Sequence, residues 1–247
     1  MSERFDGKRI LVTGGTSGIG LAVAKAFGAL GAAVTVAARS RAGLDHALGA
    51  LALDGVTAEA LCFDVCDEED VVGTLAARNF DVLVNNAGTH APGTILEIAS
   101  ETFDTIMAVN VRGAFLVART VARSMVSAGI KGVIIQTSSQ LGHVGAAGRA
   151  SYTASKHALE GLNKCMALDL APHGIRCVCV SPTFTRTEMT ERVSATSKEI
   201  SAQVSRMPLA RLAEPEEIAS VMVFLASSGA AMITGSSIMA DGGWTCL

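Results

Sequence analysis

The chain has 247 residues, 20 Lys and Arg against 23 Asp and Glu for a formal net charge of -3, and 49% apolar against 17% charged residues. Such a length suits one large α/β domain, and the apolar share excludes a disordered chain. The near-neutral balance supplies no field for nucleic acid or an anionic membrane, and there is no basic block beyond Arg39 and Arg41, so neither is expected as a partner.

The chain opens on mixed charge, Met-Ser-Glu-Arg-Phe-Asp-Gly-Lys, with no apolar secretory stretch, and a soluble cytoplasmic protein is expected. The first strand, over 9–13, runs into Thr13-Gly14-Gly15-Thr16-Ser17-Gly18-Ile19-Gly20 and a helix over 19–30. Gly14 permits a tight turn, Gly18 a close approach of backbone to phosphate, and Gly20 close packing of helix on strand. The spacing is G-x-x-x-G-x-G rather than G-x-G-x-x-G, and a plain strand-to-helix loop is the alternative. The strand-turn-helix context favours a nucleotide site.

A second strand over 33–38 ends in Ala37-Ala38-Arg39-Ser40-Arg41, with no carboxylate to hold a ribose 2′-hydroxyl. A guanidinium at Arg39, assisted by Ser40 or Arg41, suits a 2′-phosphate, so NADP(H) is favoured over NAD(H); solvated loop arginines are the other reading. Beyond a helix over 42–53 and a strand over 57–63, Asp64 either accepts from an adenine amino group or caps the acidic helix over 68–77. Further strands are expected over 82–84, 132–137, 176–180 and 237–240, and helices over 103–128, 152–171 and 215–226. Apolar strands alternating with helices indicate a single doubly wound Rossmann-type α/β domain over 1–247, with a mostly seven-stranded parallel sheet between helical layers. The polar segment 185–208 follows the sixth strand, where a substrate lid can sit.

The uncharged run 221–240 is long enough to raise a membrane-spanning reading, but seven of its residues are Gly, Ser or Thr and it breaks at Ser227-Ser228-Gly229. Six cysteines, at 62, 66, 165, 177, 179 and 246, are expected to be free thiols. Cys177 and Cys179 share one face of a strand and read as core rather than as a metal pair; no metal site is expected.

Chemistry concentrates at Ser151-Tyr152-Thr153-Ala154-Ser155-Lys156. Tyr152, the only tyrosine of the chain, and Lys156 stand at i and i+4 on one helical face. A phenol has an ordinary pKa near 10, too high for a base at neutral pH, and a neighbouring ammonium favours the phenolate. Ser139, just past the fifth strand, can polarise the same substrate oxygen.

With Asn85-Asn86-Ala87-Gly88 and Val109-Asn110-Val111-Arg112-Gly113 added to the 13–20 turn, Ser139 and Tyr152-x-x-x-Lys156, the chain resembles the short-chain dehydrogenase/reductase family over nearly its whole length. The resemblance implies that Tyr152 is the general acid/base and that Ser139 orients the carbonyl or alcohol oxygen. Lys156 would bind the nicotinamide ribose and lower the tyrosine pKa, and Asn110 would hold a water in a proton relay. It places the cofactor against Gly14, Thr16, Ser17, Gly18, Ile19, Gly20, Arg39, Ser40, Asp64, Val65, Asn86, Ala87, Gly88, Tyr152, Lys156, Pro182, Thr185 and Thr187. Thr183 stands where the family usually has glycine after the proline. A homotetramer built on the two long helices and the last strand is also implied.

Ser138-Ser139-Gln140, the run Ala167-Leu168-Asp169-Leu170-Ala171-Pro172-His173, the Pro182-Thr183 variant and the tail Gly242-Gly243-Trp244-Thr245-Cys246-Leu247 are similar to the branch that holds L-xylulose reductases and tetrameric carbonyl reductases. A small sugar, polyol, sugar acid or α-dicarbonyl substrate follows from that likeness, with Gln140, His143, Arg149, Phe184, Met189 and Trp244 as pocket candidates. Arg149 can pair with a sugar-acid carboxylate or be a solvated loop charge, and His143 and His90 can be ordinary loop histidines. Two alternatives are a 3-oxoacyl-[acyl-carrier-protein] reductase, with Arg112, Arg119 and Arg123 as its docking face, and a non-catalytic NADP(H)-binding sensor.

Overall fold

Ile10, Leu11 and Val12 are consecutive and all three have no exposure, so the first strand must be covered on both faces. The computed structural model describes residues 4–188, 190 and 197–246. In it β1 (Arg9–Thr13), β2 (Ala33–Ala38), β3 (Ala58–Cys62), β4 (Val82–Asn85), β5 (Val133–Thr137), β6 (Arg176–Pro182) and β7 (Ser237–Ala240) form one parallel sheet in the order β3-β2-β1-β4-β5-β6-β7. The helices are α1 (Gly18–Ala29), α2 (Arg41–Leu53), α3 (Glu68–Leu75), α4 (Ser100–Met107), α5 (Ala114–Ser127), α6 (Ala150–Leu170), α7 (Ser197–Val204) and α8 (Pro215–Ala226).

Side chains of period two sort the strands between two cores. Ile10, Val12, Val36, Val84 and Ile135 pack with residues of α1, α2 and α8, while Leu11, Ala37, Leu83 and Ile134 pack with residues of α3, α5 and α6. Cys177 belongs to the second core and Cys179 is buried beside it in sequence, both as free thiols. The sheet reverses its winding between β1 and β4, and in an open α/β sheet ligands bind outside the carboxyl ends of the strands at that point.

The expected elements are found with shifted ends. The 57–63 strand is trimmed to β3, which lies at the sheet edge, and β6 runs on to carry Ser181 and Pro182. Asp67, not Asp64, caps α3, accepting from Glu69 N at 2.9 Å and Asp70 N at 3.1 Å. The run 221–240 is divided among the end of α8, a 3-10 turn at Ser228–Ala230 and β7. Ser100–Ser127 is long and apolar enough to cross a membrane by length and composition, but its Leu116, Val117, Val121 and Met125 pack into the second core. Within that helix the chain widens into a π-turn at Ala108–Gly113, where regular α-helix was expected.

Gly28 shows how tightly α1 is seated. A Cβ there would stand 2.2 Å from Val56 Cγ1 and 2.7 Å from Val56 Cγ2, and a β-branched side chain has little freedom to retreat. Gly28→Ala, a change that favours an isolated helix by about 1 kcal/mol, is expected instead to destabilise the protein by about 1–3 kcal/mol through overpacking. Chemical denaturation checks this, and Val56→Ala in the same chain should restore most of the loss; additive losses would refute the contact as the cause.

Candidate active site

The cleft is assembled first from backbone. Thr13 Oγ1 donates to Asn85 Oδ1 at 3.1 Å and accepts from Asn86 N at 3.0 Å and Ala87 N at 3.1 Å, so the ends of β1 and β4 are stitched where they part. Asn85 Nδ2 reaches Ala114 O at 2.7 Å and Asn86 Nδ2 reaches Gly14 O at 3.2 Å. The glycine turn then closes as its spacing requires. A Cβ on Gly20 would lie 2.2 Å from Gly14 O, one on Gly14 2.9 Å from Ala87 Cα, and Gly14 and Gly18 take φ of +64° and +50°.

The resulting cleft, of about 330 Å³, is lined by Gly14, Thr16, Ser17, Gly18 and Ile19 at one end and by Asn86, Ala87 and Gly88 along its floor. Ser139, Gln140, Tyr152, Lys156, Pro182, Phe184, Thr185 and Thr187 line the rest, with Arg149. Among the described residues the lining carries no carboxylate. Thr137 Oγ1, Ser138 Oγ and Gln140 Oε1 are buried along it without a hydrogen-bond partner, polar groups of the kind that a bound ligand satisfies.

Around Tyr152, Ser139 and Lys156 the bonds are specific. Lys156 Nζ donates to Thr137 O at 2.7 Å and lies 5.5 Å from the centroid of the Tyr152 ring. Ser139 caps the short turn Gln140–Gly142, accepting from Leu141 N at 3.1 Å. Asn110 projects from the π-turn and is fully engaged: Oδ1 accepts from Thr89 N at 2.7 Å, and Nδ2 donates to Thr89 O at 2.9 Å and Ser155 Oγ at 3.0 Å. Burial pushes the Tyr152 phenol up to about 12, the Ser139 hydroxyl opposing, and burial pulls the Lys156 ammonium down to about 8 against the pull of Cys179 and Glu160. This differs from the expectation that Lys156 brings the phenol down: desolvation disfavours both charged forms.

Several expected residues lie outside the lining. Arg39 and Ser40 are exposed just beyond β2, where Ser40 Oγ accepts from Gly43 N at 3.2 Å to cap α2. Asp64 accepts from Cys66 N at 2.9 Å, and Val65 is buried beneath Gly113. His143 turns away from the cleft. Its Nε2 sits 3.2 Å from both Ser181 Oγ and Ser237 Oγ and 3.3 Å from Glu160 Oε1, because a buried carboxylate on α6 needs donors around it. Trp244 is buried behind the wall, in a cluster with Leu141 and Met207 against which Phe184 and Tyr152 pack, and the Arg206 guanidinium lies 4.0 Å over its ring. Met189 lies outside the described residues.

Thr89, His90, Thr137, Leu141 and Thr190 also line the cleft and were not site candidates from sequence; His90 matters most. The His90 ring stacks on that of Tyr152, centroids 4.8 Å apart and 21° between planes. Burial, and then the Arg149 charge, hold its pKa down at about 4, so it is neutral at ordinary pH. Its position two residues beyond Asn85-Asn86-Ala87-Gly88 was the available signal.

A family model described as enoyl-(acyl carrier protein) reductase matches residues 14–245. The chain is 36% identical over 245 residues to an L-xylulose reductase of Bos taurus, covering 99% of each. The chain belongs to the short-chain dehydrogenase/reductase family. It is 38% identical over 243 residues to a D-erythrulose reductase of Gallus gallus, covering 97% of this chain and 96% of the relative. With a gluconate 5-dehydrogenase of Gluconobacter oxydans (strain 621H) the identity is 35% over 246 residues, with 98% and 96% covered. A short-chain dehydrogenase/reductase structure from Mycobacterium marinum superposes with a TM-score of 0.94 at 37% identity over 99% of this chain and 98% of that one. A structure from Agrobacterium tumefaciens, described as a candidate 2-deoxy-D-gluconate 3-dehydrogenase with bound NADP, does so with a TM-score of 0.93 at 33% identity and the same coverage.

As a short-chain dehydrogenase/reductase the protein is an oxidoreductase acting between CH–OH and C=O, with a nicotinamide cofactor. The residues present fit such a dinucleotide: the glycine turn opens α1 with its free N–H groups, the described cleft lining has no acid to repel phosphate, and orphaned hydroxyls and an amide oxygen line one wall.

Because Tyr152 is the only tyrosine, near-ultraviolet absorbance titration reports it alone. In the cofactor-free folded protein no phenolate signal is expected through pH 10, where a free phenol is half ionised. Half-ionisation at or below pH 10 would overturn the burial effect. The folded state also holds a proton that the unfolded chain releases near pH 10, so this contribution to stability is full below that pH and lost as pH rises through about 12.

Proposed function

We propose that the protein is an NADP(H)-dependent oxidoreductase of small sugars, polyols, sugar acids or α-dicarbonyls. The observation that carries this reading is the convergence of Tyr152, Ser139 and Lys156 in one cleft at the point where the sheet reverses its winding. When bound, the nicotinamide supplies or accepts the hydride at the substrate carbon. Tyr152 gives its proton to the carbonyl oxygen in reduction and takes the alcohol proton in oxidation. A neutral phenol raised by burial is a proton donor at rest, which suits the reductive direction. Ser139 directs its hydroxyl at the same oxygen, Lys156 holds the ribose and offers its charge to the phenolate, and Asn110 orders the relay beside Thr89 and Ser155.

NADP(H) over NAD(H) is supported by Arg39, a cation just past β2 that has no ion-pair partner among the described residues, and by an NADP-bound structural neighbour. The glycine turn would hold the phosphates, Ser40 would assist Arg39, Asp64 and Val65 would meet the adenine, and Pro182, Thr185 and Thr187 would flank the nicotinamide. Segment 185–208 is assigned as the substrate lid, with Thr187 against Gly18 at one end and Met207 against Trp244 at the other. A homotetramer accounts for exposed apolar residues such as Phe103 and Phe115 on the long helix and Met239 on β7, and six free thiols suit a cytoplasmic setting. Of the three arginines that the acyl-carrier alternative would use to dock an acidic partner, Arg112 and Arg119 are paired with Glu68, which weakens that reading.

Tyr152→Phe is expected to reduce NADPH-dependent turnover of every accepted carbonyl by about 10³-fold or more while cofactor affinity stays within a few fold, as measured by steady-state kinetics and fluorescence titration. Substantial residual turnover would sink the mechanism. Arg39→Ala should raise the KM for NADPH by at least about tenfold with little effect on NADH; equal effects on the two cofactors would remove Arg39 from the 2′-phosphate site.

A further inference from the structure

We infer that the Tyr152 end of the cleft takes an anionic substrate, a keto or hydroxy acid of the sugar series, whose carboxylate pairs with Arg149. The inference rests on the function proposed above for placing the reacting carbonyl at Tyr152, and it selects one substrate class from those named there.

Among the described residues the cleft lining contains two cations, Lys156 and Arg149, and no carboxylate. Lys156 is held on Thr137 O beside the phenol and has a task there. The phosphates of a dinucleotide belong to the glycine turn at the other end. Arg149 is matched by neither. Several arginines meet carboxylates, as Arg9 meets Asp81 and Arg211 meets Glu217, but among the described residues Arg149, like Arg39, has no ion pair, and only its Nη1 is engaged, on Gly148 O at 3.2 Å. A guanidinium carries five donors in a planar fork that suits a carboxylate bidentately.

The position of this cation is built rather than incidental. Arg149 immediately precedes α6, three residues before Tyr152, and is half-buried. Its backbone forms a parallel bridge with Gly93, and Gly93 N donates to Gly148 O at 3.0 Å. That bridge ties the Arg149 loop to the loop bearing His90, whose ring stacks on Tyr152. Both ring nitrogens of His90 are buried without a partner, and the Arg149 charge helps keep the ring neutral. A neutral imidazole offers one donor and one acceptor to substrate hydroxyls, leaving Arg149 to answer the charge. A partly desolvated ion pair of this kind discriminates far more strongly than a solvated one.

The test uses 5-keto-D-gluconate and L-sorbose, which differ only in a terminal carboxylate or hydroxymethyl group, with NADPH as reductant and diacetyl as the reference carbonyl. The wild-type protein is expected to favour the keto acid by at least about tenfold in kcat/KM, and Arg149→Gln to collapse that ratio towards one through the KM of the keto acid. Equal wild-type values for the pair would overturn the inference, as would a loss in Arg149→Gln that falls equally on both. Should that variant fail to fold, competition in the wild-type protein decides: D-gluconate should inhibit diacetyl reduction at concentrations about tenfold or more below D-glucitol, and equal inhibition constants would overturn the anionic site. Diacetyl reduction without discrimination between the pair refutes the inference and leaves the proposed oxidoreductase standing. No turnover of any of the three carbonyls with either cofactor refutes the proposed function, and the inference with it.

Discussion

The site depends on one buried hydroxyl. Thr13 Oγ1 spends its proton on Asn85 Oδ1 and its lone pairs on the N–H groups of Asn86 and Ala87, at the one place where adjacent strands of the sheet lead their chains in opposite directions. Parting strands leave backbone groups without ladder partners, and buried polar groups left in that state are costly. The threonine settles two of these N–H groups, and the asparagine side chains extend the settlement to Gly14 on one side and Ala114 on the other. The glycine turn, the cleft floor and the long helix are thereby held in one frame, against which Tyr152 and Lys156 are set by α6.

Desolvation governs the chemistry inside that frame. Tyr152 and Lys156 are both driven towards their neutral forms, the phenol upward and the ammonium downward. Glu160, one turn beyond Lys156 on α6, raises the pKa of the ammonium, while His143, Ser181 and Ser237 gather round the Glu160 Oε1. Glu160 thus stays out of the lining, and the described lining presents cations, neutral polar groups and apolar side chains, but no carboxylate, to what enters.

What could be read from the sequence was local. The turn glycines, the paired asparagines and the i, i+4 placement of Tyr152 and Lys156 each follow from a geometric demand met within a few residues, and the strand and helix alternation led directly to the parallel sheet. What could not be read was set by partners far along the chain. His143 follows Ser139 closely and so looked like a pocket residue, but Glu160 lies within reach of its ring. Trp244 became the backing of the wall because Leu141 and Met207 converge on it. His90 joined the site through a stacking contact with a residue sixty-two positions later, a contact no spacing encodes. The sign of the Tyr152 shift depended on burial, which a sequence does not display.

The π-turn at Ala108–Gly113 also bears on how this helix tolerates change in length. A π-turn accommodates one residue more than the regular ladder, so the long helix behaves as though it had absorbed a single-residue insertion by swelling instead of by forming a loop. Each residue of an α-helix advances the facing direction by about 100°. The extra one therefore uncouples the rotational phase of α4 from that of α5: the first can present Ile106 to the protein interior while the second presents Leu116, Val121 and Met125 to the sheet. Asn110, at the swelling itself, occupies the one stretch where the helix is free to aim a side chain sideways at Thr89 and Ser155. A chain one residue shorter here would have the more regular helix and would lose that aim.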